Sequence, residues 1–342
     1  MLEDYRQDFS KVYSWLSWGG LILPEVVRNK DGSLMGFIHY GNSSEETVDG
    51  LHLNFPKGWS IWLDQHHFPG DDSNTLCLSW NLIHKNRNSP TDNLYEGVGS
   101  GEEDEAEYFR KVLQRLGTQI ASCRAGSHVL ELEEVLSYMK STLHMQACEL
   151  AMPKIPLYLD AVLSRDMVFK VYPSDGPDKN RLTIRNKEIV VVSIKENLSQ
   201  STLDMVLKAF RQMNYRFCRR VLFMPEDYLQ HELRKLTQGW CPQRQTIRDY
   251  MLAKHKGNGG MISNTLVFAL DKDNLDDYLQ YIREILEAVE IPFVLESYNN
   301  KTCWWGTLPG MFRANGRILP SHVSDWQDFL CLKGRGEVRV QA

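Results

Sequence analysis

Hydrophobic positions along this chain recur with two periods, and each period marks a kind of element. Apolar runs of strand length occur at Val26–Arg28 and Leu34–Tyr40, joined by Asn29–Ser33, where Asp31-Gly32 supplies the positive φ of a tight hairpin turn. Further strands are predicted at Trp59–Phe68, Thr75–His84, Arg181–Arg185, Glu188–Lys195, Arg216–Met224, Thr265–Leu270 and Ile291–Leu295. The helical period places Tyr108, Phe109, Val112, Leu113 and Leu116 on one face of Glu105–Leu116. It recurs in Leu130–Leu150 with Leu132, Val135, Leu136, Met139 and Leu143. A helix is expected over Gln200–Met213, and another opens at Pro225, a residue suited to a first helical position. The cleanest amphipathic pattern lies between Asn274 and Glu290, with Leu275, Tyr278, Leu279, Ile282, Ile285, Leu286 and Val289 on one side. Shorter helices are expected from Ser44 and over Leu157–Leu163, and loops at Lys85–Asn93 and Glu96–Asp104.

Met152-Pro-Lys-Ile-Pro156 interrupts this pattern, which places a domain boundary near Arg165. The expected fold class is α+β in two subdomains. Residues 1–165 would form an N-terminal α+β docking subdomain, and residues 166–330 a ferredoxin-like antiparallel sheet with helices on one face. Residues 331–342 read as an atypical C-terminal tail.

Composition changes this picture little: 342 residues with 42% hydrophobic and 24% charged side chains describe a globular chain. A net charge of -5 argues against a dedicated nucleic-acid binder, which would carry a positive excess. The 7 cysteines are scattered and form no C-x-x-C pair, as expected of reduced thiols and not of a disulfide framework or zinc site. The N-terminus carries no secretory signal pattern, and the uncharged run Val12–Pro24 is shorter than the roughly 20 residues of a membrane span. Its Tyr13, Trp15 and Trp18 suit either a membrane interface or the core of the first subdomain.

Candidate chemistry is sparse. A P-loop needs G-x-x-x-x-G-K-[ST], and no Gly-Lys dipeptide occurs. Thr265–Asp271 resembles an apolar strand ending in a magnesium-binding acid, but without a P-loop it reads as a buried strand. Adjacent His66 and His67 would point to opposite faces of a strand and could not chelate one ion. His231-Glu232 lacks a second histidine one turn on. Between Lys208 and Lys256 there are 11 Lys and Arg against 4 Asp and Glu. That excess is expected on a solvated helix face, or as a contact to anionic lipid or an acidic partner; interleaved aromatics leave single-strand binding as a further alternative.

Several landmarks occur in an order that resembles the TrbE/VirB family of type IV secretion ATPases. They are NKDGSL at Asn29–Leu34, PKGW at Pro56–Trp59, PLYLDAVL at Pro156–Leu163, RFCRRVLFM at Arg216–Met224 and RKLTQGWCPQRQTI at Arg234–Ile247. The last, ESYNNKTCWWGTLPGMFRANGR at Glu296–Arg317, is similar to the family's lead-in to its motor domain. In it Glu296, Asn299, Trp304, Trp305, Gly306, Leu308, Pro309 and Gly310 match the family pattern and are the candidate interaction or signature residues. Pro309 and Gly310 would fix a turn, while the tryptophans would either pack on the next domain or seal this domain's own core.

The resemblance implies a cytoplasmic protein, peripheral on the inner membrane, that docks on small inner-membrane subunits of a conjugative secretion channel and on the P-loop motor of the same system. A homo-oligomer and an anionic membrane surface are further expected partners, and nucleic acid is not. No catalytic, cofactor-binding or metal-binding residue carries over, since ATP and Mg would enter only through the motor domain. The alternatives are half of a split ATPase and a single-stranded nucleic-acid-binding module.

Overall fold

The structure is a computed structural model that describes residues 18–41, 58–69, 71–80, 102–148, 169–171, 182–184, 186–196, 198–223, 259–297, 299–311, 317 and 319–322. Among these residues thirteen strands form a single sheet, and five α-helices cover its faces. Every pairing in it is antiparallel.

The expected hairpin is β2 (Val26–Asn29) paired with β3 (Leu34–His39). Gly32 takes a φ of 85°, which only a residue without Cβ adopts freely. Asp31 Oδ1 accepts the Ser33 N–H at 3.0 Å and closes the turn. β1 (Trp18–Leu23), which the apolar pattern did not single out as a strand, pairs with β2 at the edge. β4 (Trp59–Phe68) and β5 (Asp71–Trp80) pair along their whole length, from Trp59↔Trp80 to Phe68↔Asp71. β5 therefore begins before the expected Thr75: backbone pairing with β4 extends the strand through the polar Asp72, Ser73 and Asn74.

The helix α1 (Glu102–Cys123) starts inside the loop expected over Glu96–Asp104. An acidic run suits a helix start, where unpaired N–H groups favour negative charge. After β6 (His128–Val129), α2 (Leu132–His144) opens with a reciprocal capping box between Glu131 and Glu134. It stops at Met145, whose φ of 54° ends the helix short of the expected Leu150.

Beyond β7 (Phe169–Val171) and β8 (Leu182–Ile184), a regular alternation follows: β9 (Lys187–Ile194), α3 (Gln200–Ala209), β10 (Tyr215–Phe223), β11 (Gly259–Leu270), α4 (Leu275–Ala288) and β12 (Phe293–Leu295). Ser199 caps α3 by accepting the Thr202 N–H at 3.2 Å. That helix ends at Ala209, before the expected Met213. β11 begins at Gly259, six residues before the expected Thr265, because its first half pairs with both β10 and β13 (Leu319–His322). The strands stand in the order β12-β9-β11-β10. β10 then continues onto β4, from Tyr215↔His67 to Leu222↔Ser60. The sheet thus runs without a break across the expected boundary near Arg165, a position outside the described residues, as are the helices expected from Ser44, over Leu157–Leu163 and from Pro225.

Strand periodicity sorts the side chains onto two faces. On the first, Trp59 stacks between Trp80 and Phe109 of α1, with ring centroids 5.2 and 5.5 Å away. Farther along it, Val192, Phe217, Leu266 and Phe268 pack under α3 and α4. Burial of each such side chain contributes roughly 1.5–3 kcal/mol. Gly36 belongs here too, since a Cβ would run into Leu113 of α1. On the second face, Phe37, Trp62, Phe68, Cys77, Val191 and Val267 meet α2 and a fifth helix, α5 (Asn300–Gly306). Among the described residues no helix is long and apolar enough to cross a membrane.

Candidate functional site

The Glu296–Gly310 segment lies across the second face. Glu296 follows β12, its N–H donating to Val191 O at 2.9 Å, while its carboxylate accepts Arg317 Nε at 2.9 Å. That hydrogen bond, ahead of the partner's charge, raises the Arg317 pKa above its ordinary value. Asn299 is exposed and precedes α5, and its carbonyl accepts the Cys303 N–H at 2.7 Å. Asn300 Nδ2 donates to Ile189 O at 2.9 Å and fastens the helix to β9.

Trp304 and Trp305 are 0% and 8% exposed and meet edge to face, 5.5 Å between centroids. Of the two roles open to them on sequence, the structure places both rings in this chain's own core. Gly306 ends α5, and Thr307 caps it through Oγ1, which donates to Trp304 O at 2.6 Å. Leu308 is fully buried. Pro309 O accepts Trp18 Nε1 at 2.8 Å. Gly310 has a φ of 77°, and a Cβ there would come within 2.6 Å of the Asn29 amide. Trp18 thus lies in the core beside this turn; Tyr13 and Trp15 fall outside the described residues.

Beneath the turn is a polar cluster that sequence reasoning missed. Arg216 and Asp64, 0% and 1% exposed, face each other from β10 and β4. Arg216 Nε donates to Asp64 Oδ1 and Oδ2 at 2.7 and 2.8 Å, and its Nη2 donates to Thr307 O. The Tyr138 hydroxyl of α2 donates to Asp64 Oδ2 at 2.8 Å. Burial works against the Arg216 charge, but the facing carboxylate outweighs it and holds the guanidinium pKa above its ordinary value. Burial, with the Asp64 charge adding to it, pushes the Tyr138 hydroxyl well up and the Cys218 thiol to about 12. Both shifts favour the protonated form.

Arg220 lies over Trp62, 4.7 Å from the ring centroid, and donates to Met311 O at 3.4 Å; burial lowers its pKa to about 10. Arg219 points to the first face, where it donates to Asn264 Oδ1 at 2.9 Å and Leu198 O at 3.1 Å. These three arginines were counted in the basic stretch. The structure corrects that reading for them, because each is buried and bonded within the fold; the stretch beyond Phe223 lies outside the described residues. The available signal was their position inside an apolar strand, RFCRRVLF, matched by a single acid in WSIWLDQHHF.

His66 and His67 do point to opposite faces: His66 stacks on Phe68 at 4.8 Å, and His67 on Tyr215 at 5.5 Å. His66, Tyr138, His39 and Glu134 line a cavity of about 640 Å3 between α2 and the sheet. Among the described residues no three His, Cys, Asp or Glu side chains converge to hold a metal ion. Asp64, Arg216 and Tyr138 are bonded to one another, and Arg216 and Arg220 also donate to the carbonyls of Thr307 and Met311.

No family model matches the chain. It is similar to a probable conjugal transfer protein of Sinorhizobium fredii, named as the second part of TrbE, and is 22% identical to it over 256 residues that cover 66% of this chain and 37% of that protein. It is also similar to "Conjugal transfer protein TrbE" of Rhizobium radiobacter, 19% identical over an alignment of 407 positions covering 92% of this chain and 48% of that protein. The chain thus spans less than half the length of either relative, and its similarity is to TrbE conjugal transfer proteins.

Proposed function

We propose that this chain is a component of a conjugative type IV secretion system, equivalent to the N-terminal docking and assembly region of a TrbE-type ATPase and without ATP hydrolysis of its own. The observation that carries the reading is similarity to a TrbE protein along 92% of this chain, together with the lead-in landmarks at Glu296–Gly310. In this reading residues 166–330 are a ferredoxin-like subdomain, supported by the strand order β12-β9-β11-β10 and by α3 and α4 on one face. Residues 1–165 are the docking subdomain, and the protein sits peripherally at the cytoplasmic side of the inner membrane.

Its partners are then the small inner-membrane subunits of the channel. Co-purification in mild detergent with those subunits is the test: at least one is expected to be retained, and loss of all of them overturns the reading. Equilibrium dialysis with labelled ATP should show no binding to the isolated chain, and turnover by it would refute the non-catalytic assignment.

A second reading is half of a split ATPase, favoured by a relative whose own name designates only a portion of TrbE. Adding a separately produced P-loop domain of the same system would then yield a stable complex with restored ATP turnover. The first reading gives co-purification with channel subunits whether or not such a domain is present.

A further inference from the structure

Between Thr307 and Met311 the chain is gripped through its backbone. Carbonyls at alternate positions, those of Thr307, Pro309 and Met311, accept hydrogen bonds from Arg216, Trp18 and Arg220 respectively. None of the three bonds depends on the side chain of the residue held. The donors come from β1 and β10, which lie in different regions of the sheet. Arg216 is itself fixed from behind, by both Asp64 oxygens and, through Oδ2, by the Tyr138 hydroxyl.

Enclosing a guanidinium and a carboxylate costs solvation that packed apolar residues would not lose, so such a pair is a poor device for stability. Its best-attested use is to specify one arrangement among several. At this position the arrangement specified is the course of the chain over the sheet.

We infer that Asp64 and Arg216, with Trp18 and Arg220, form a main-chain clamp that fixes the path of Thr307–Met311 relative to the sheet. The clamp fixes the chain at residue 311, ahead of Arg317, which is bonded to Glu296, and of β13, which is paired with β11. Its use in presenting a motor domain in a set orientation rests on the function proposed above; the clamp itself does not.

Hydrogen exchange on the purified chain separates positioning from stability. The reporters are the amides of Thr307, Leu308 and Met311, bonded to Trp304 O at 3.0 Å, Trp305 O at 3.0 Å and Leu308 O at 3.1 Å. In a variant combining Asp64→Leu, Arg216→Met and Tyr138→Phe, the unfolding midpoint should stay near that of the parent. The three reporters should exchange roughly tenfold faster or more, the change given by about 1.4 kcal/mol of local opening, while Ile282 and Leu286 in α4 keep their rates. Tyr138→Phe alone should speed the same reporters by a smaller factor. Reporter rates that follow only the global midpoint, or that do not change, overturn the clamp. If the triple variant does not fold, an even or absent response to Tyr138→Phe overturns it equally. Failure to co-purify with channel subunits would leave this exchange result untouched, so the two ideas fail separately.

Discussion

The two faces of the sheet are covered by different means. Under α1, α3 and α4 the strands offer alternating aliphatic and aromatic residues to helices with matching stripes, and apolar burial dominates around one enclosed arginine, Arg219, bonded to Asn264 and to Leu198 O. Under α2 and α5 the same strands also carry Asp64, Arg216 and Arg220, and the cover includes a stretch of backbone held by its carbonyls. The apolar positions of the first face tolerate apolar side chains of similar volume and period. The second specifies a path, because its bonds are directional and leave charge exposed to low dielectric if one partner moves.

Removing one charge should therefore have the largest effect. Arg216→Ala strands a fully enclosed carboxylate, and urea denaturation should report a loss of about 3–5 kcal/mol. On the opposite face, Ile282→Ala in α4 removes an equally buried side chain by a cavity mechanism and should cost roughly 2–4 kcal/mol. The sharper difference lies in repair. Ile282→Leu should recover most of that loss, whereas Arg216→Lys should not, because a single ammonium cannot span Asp64 and Thr307 O as the guanidinium does. Equal rescue on both faces would remove the distinction.

Gly310→Ala probes the clamped backbone without touching charge. An alanine at a φ of 77° with its Cβ 2.6 Å from the Asn29 amide should cost about 1–3 kcal/mol by the same denaturation assay. The effect should be centred on the turn, with exchange in α4 unchanged. A neutral outcome would mean that the turn adapts freely and that its path is not specified.

These contrasts also explain what was legible in the sequence. α4 could be read because Leu275, Ile282 and Leu286 repeat at helical spacing and their partners alternate along β9, β10 and β11. The β2–β3 hairpin was legible through Asp31-Gly32, whose local chemistry alone dictates the turn. By contrast, the pairing of β4 with β10 joins positions far apart in the chain, and no local period encodes it. The Asp64–Arg216 contact depends on that pairing, so its arginine counted only as one more basic residue. α5 escaped for a related reason: NKTCWWG is too short to show a period, and its helix is stabilised by packing on the sheet. Trp304 and Trp305 were recognisable as notable residues, but which surface they meet is a tertiary fact.

The smallest expected effect sharpens the comparison within α2, which carries an enclosed contact in its middle and an exposed one at its start. Glu134 accepts His128 Nε2 at 2.9 Å, both side chains being nearly half exposed, and that hydrogen bond raises the His128 pKa above its ordinary value. Burial opposes the Glu134 charge, but the Glu131 N–H and His128 outweigh it and hold its carboxyl below the usual range. A raised histidine pKa means that the folded chain binds the proton more tightly. The stabilisation from His128 is then complete below its unfolded value of about 6.5 and is lost as pH climbs through the higher folded value. Solvent screening keeps it small. An NMR titration should show His128 titrating above its ordinary value in the parent and nearer to it in Glu134→Gln, with the pH dependence of the urea midpoint flattened in the variant. Arg216 stays charged throughout that range, its pKa being raised, so the Thr307, Leu308 and Met311 amides should keep their protection while His128 loses its proton. Loss of that protection in step with His128 would make the two ends of α2 one system and dissolve the distinction between an enclosed, pH-independent contact and an exposed, titrating one.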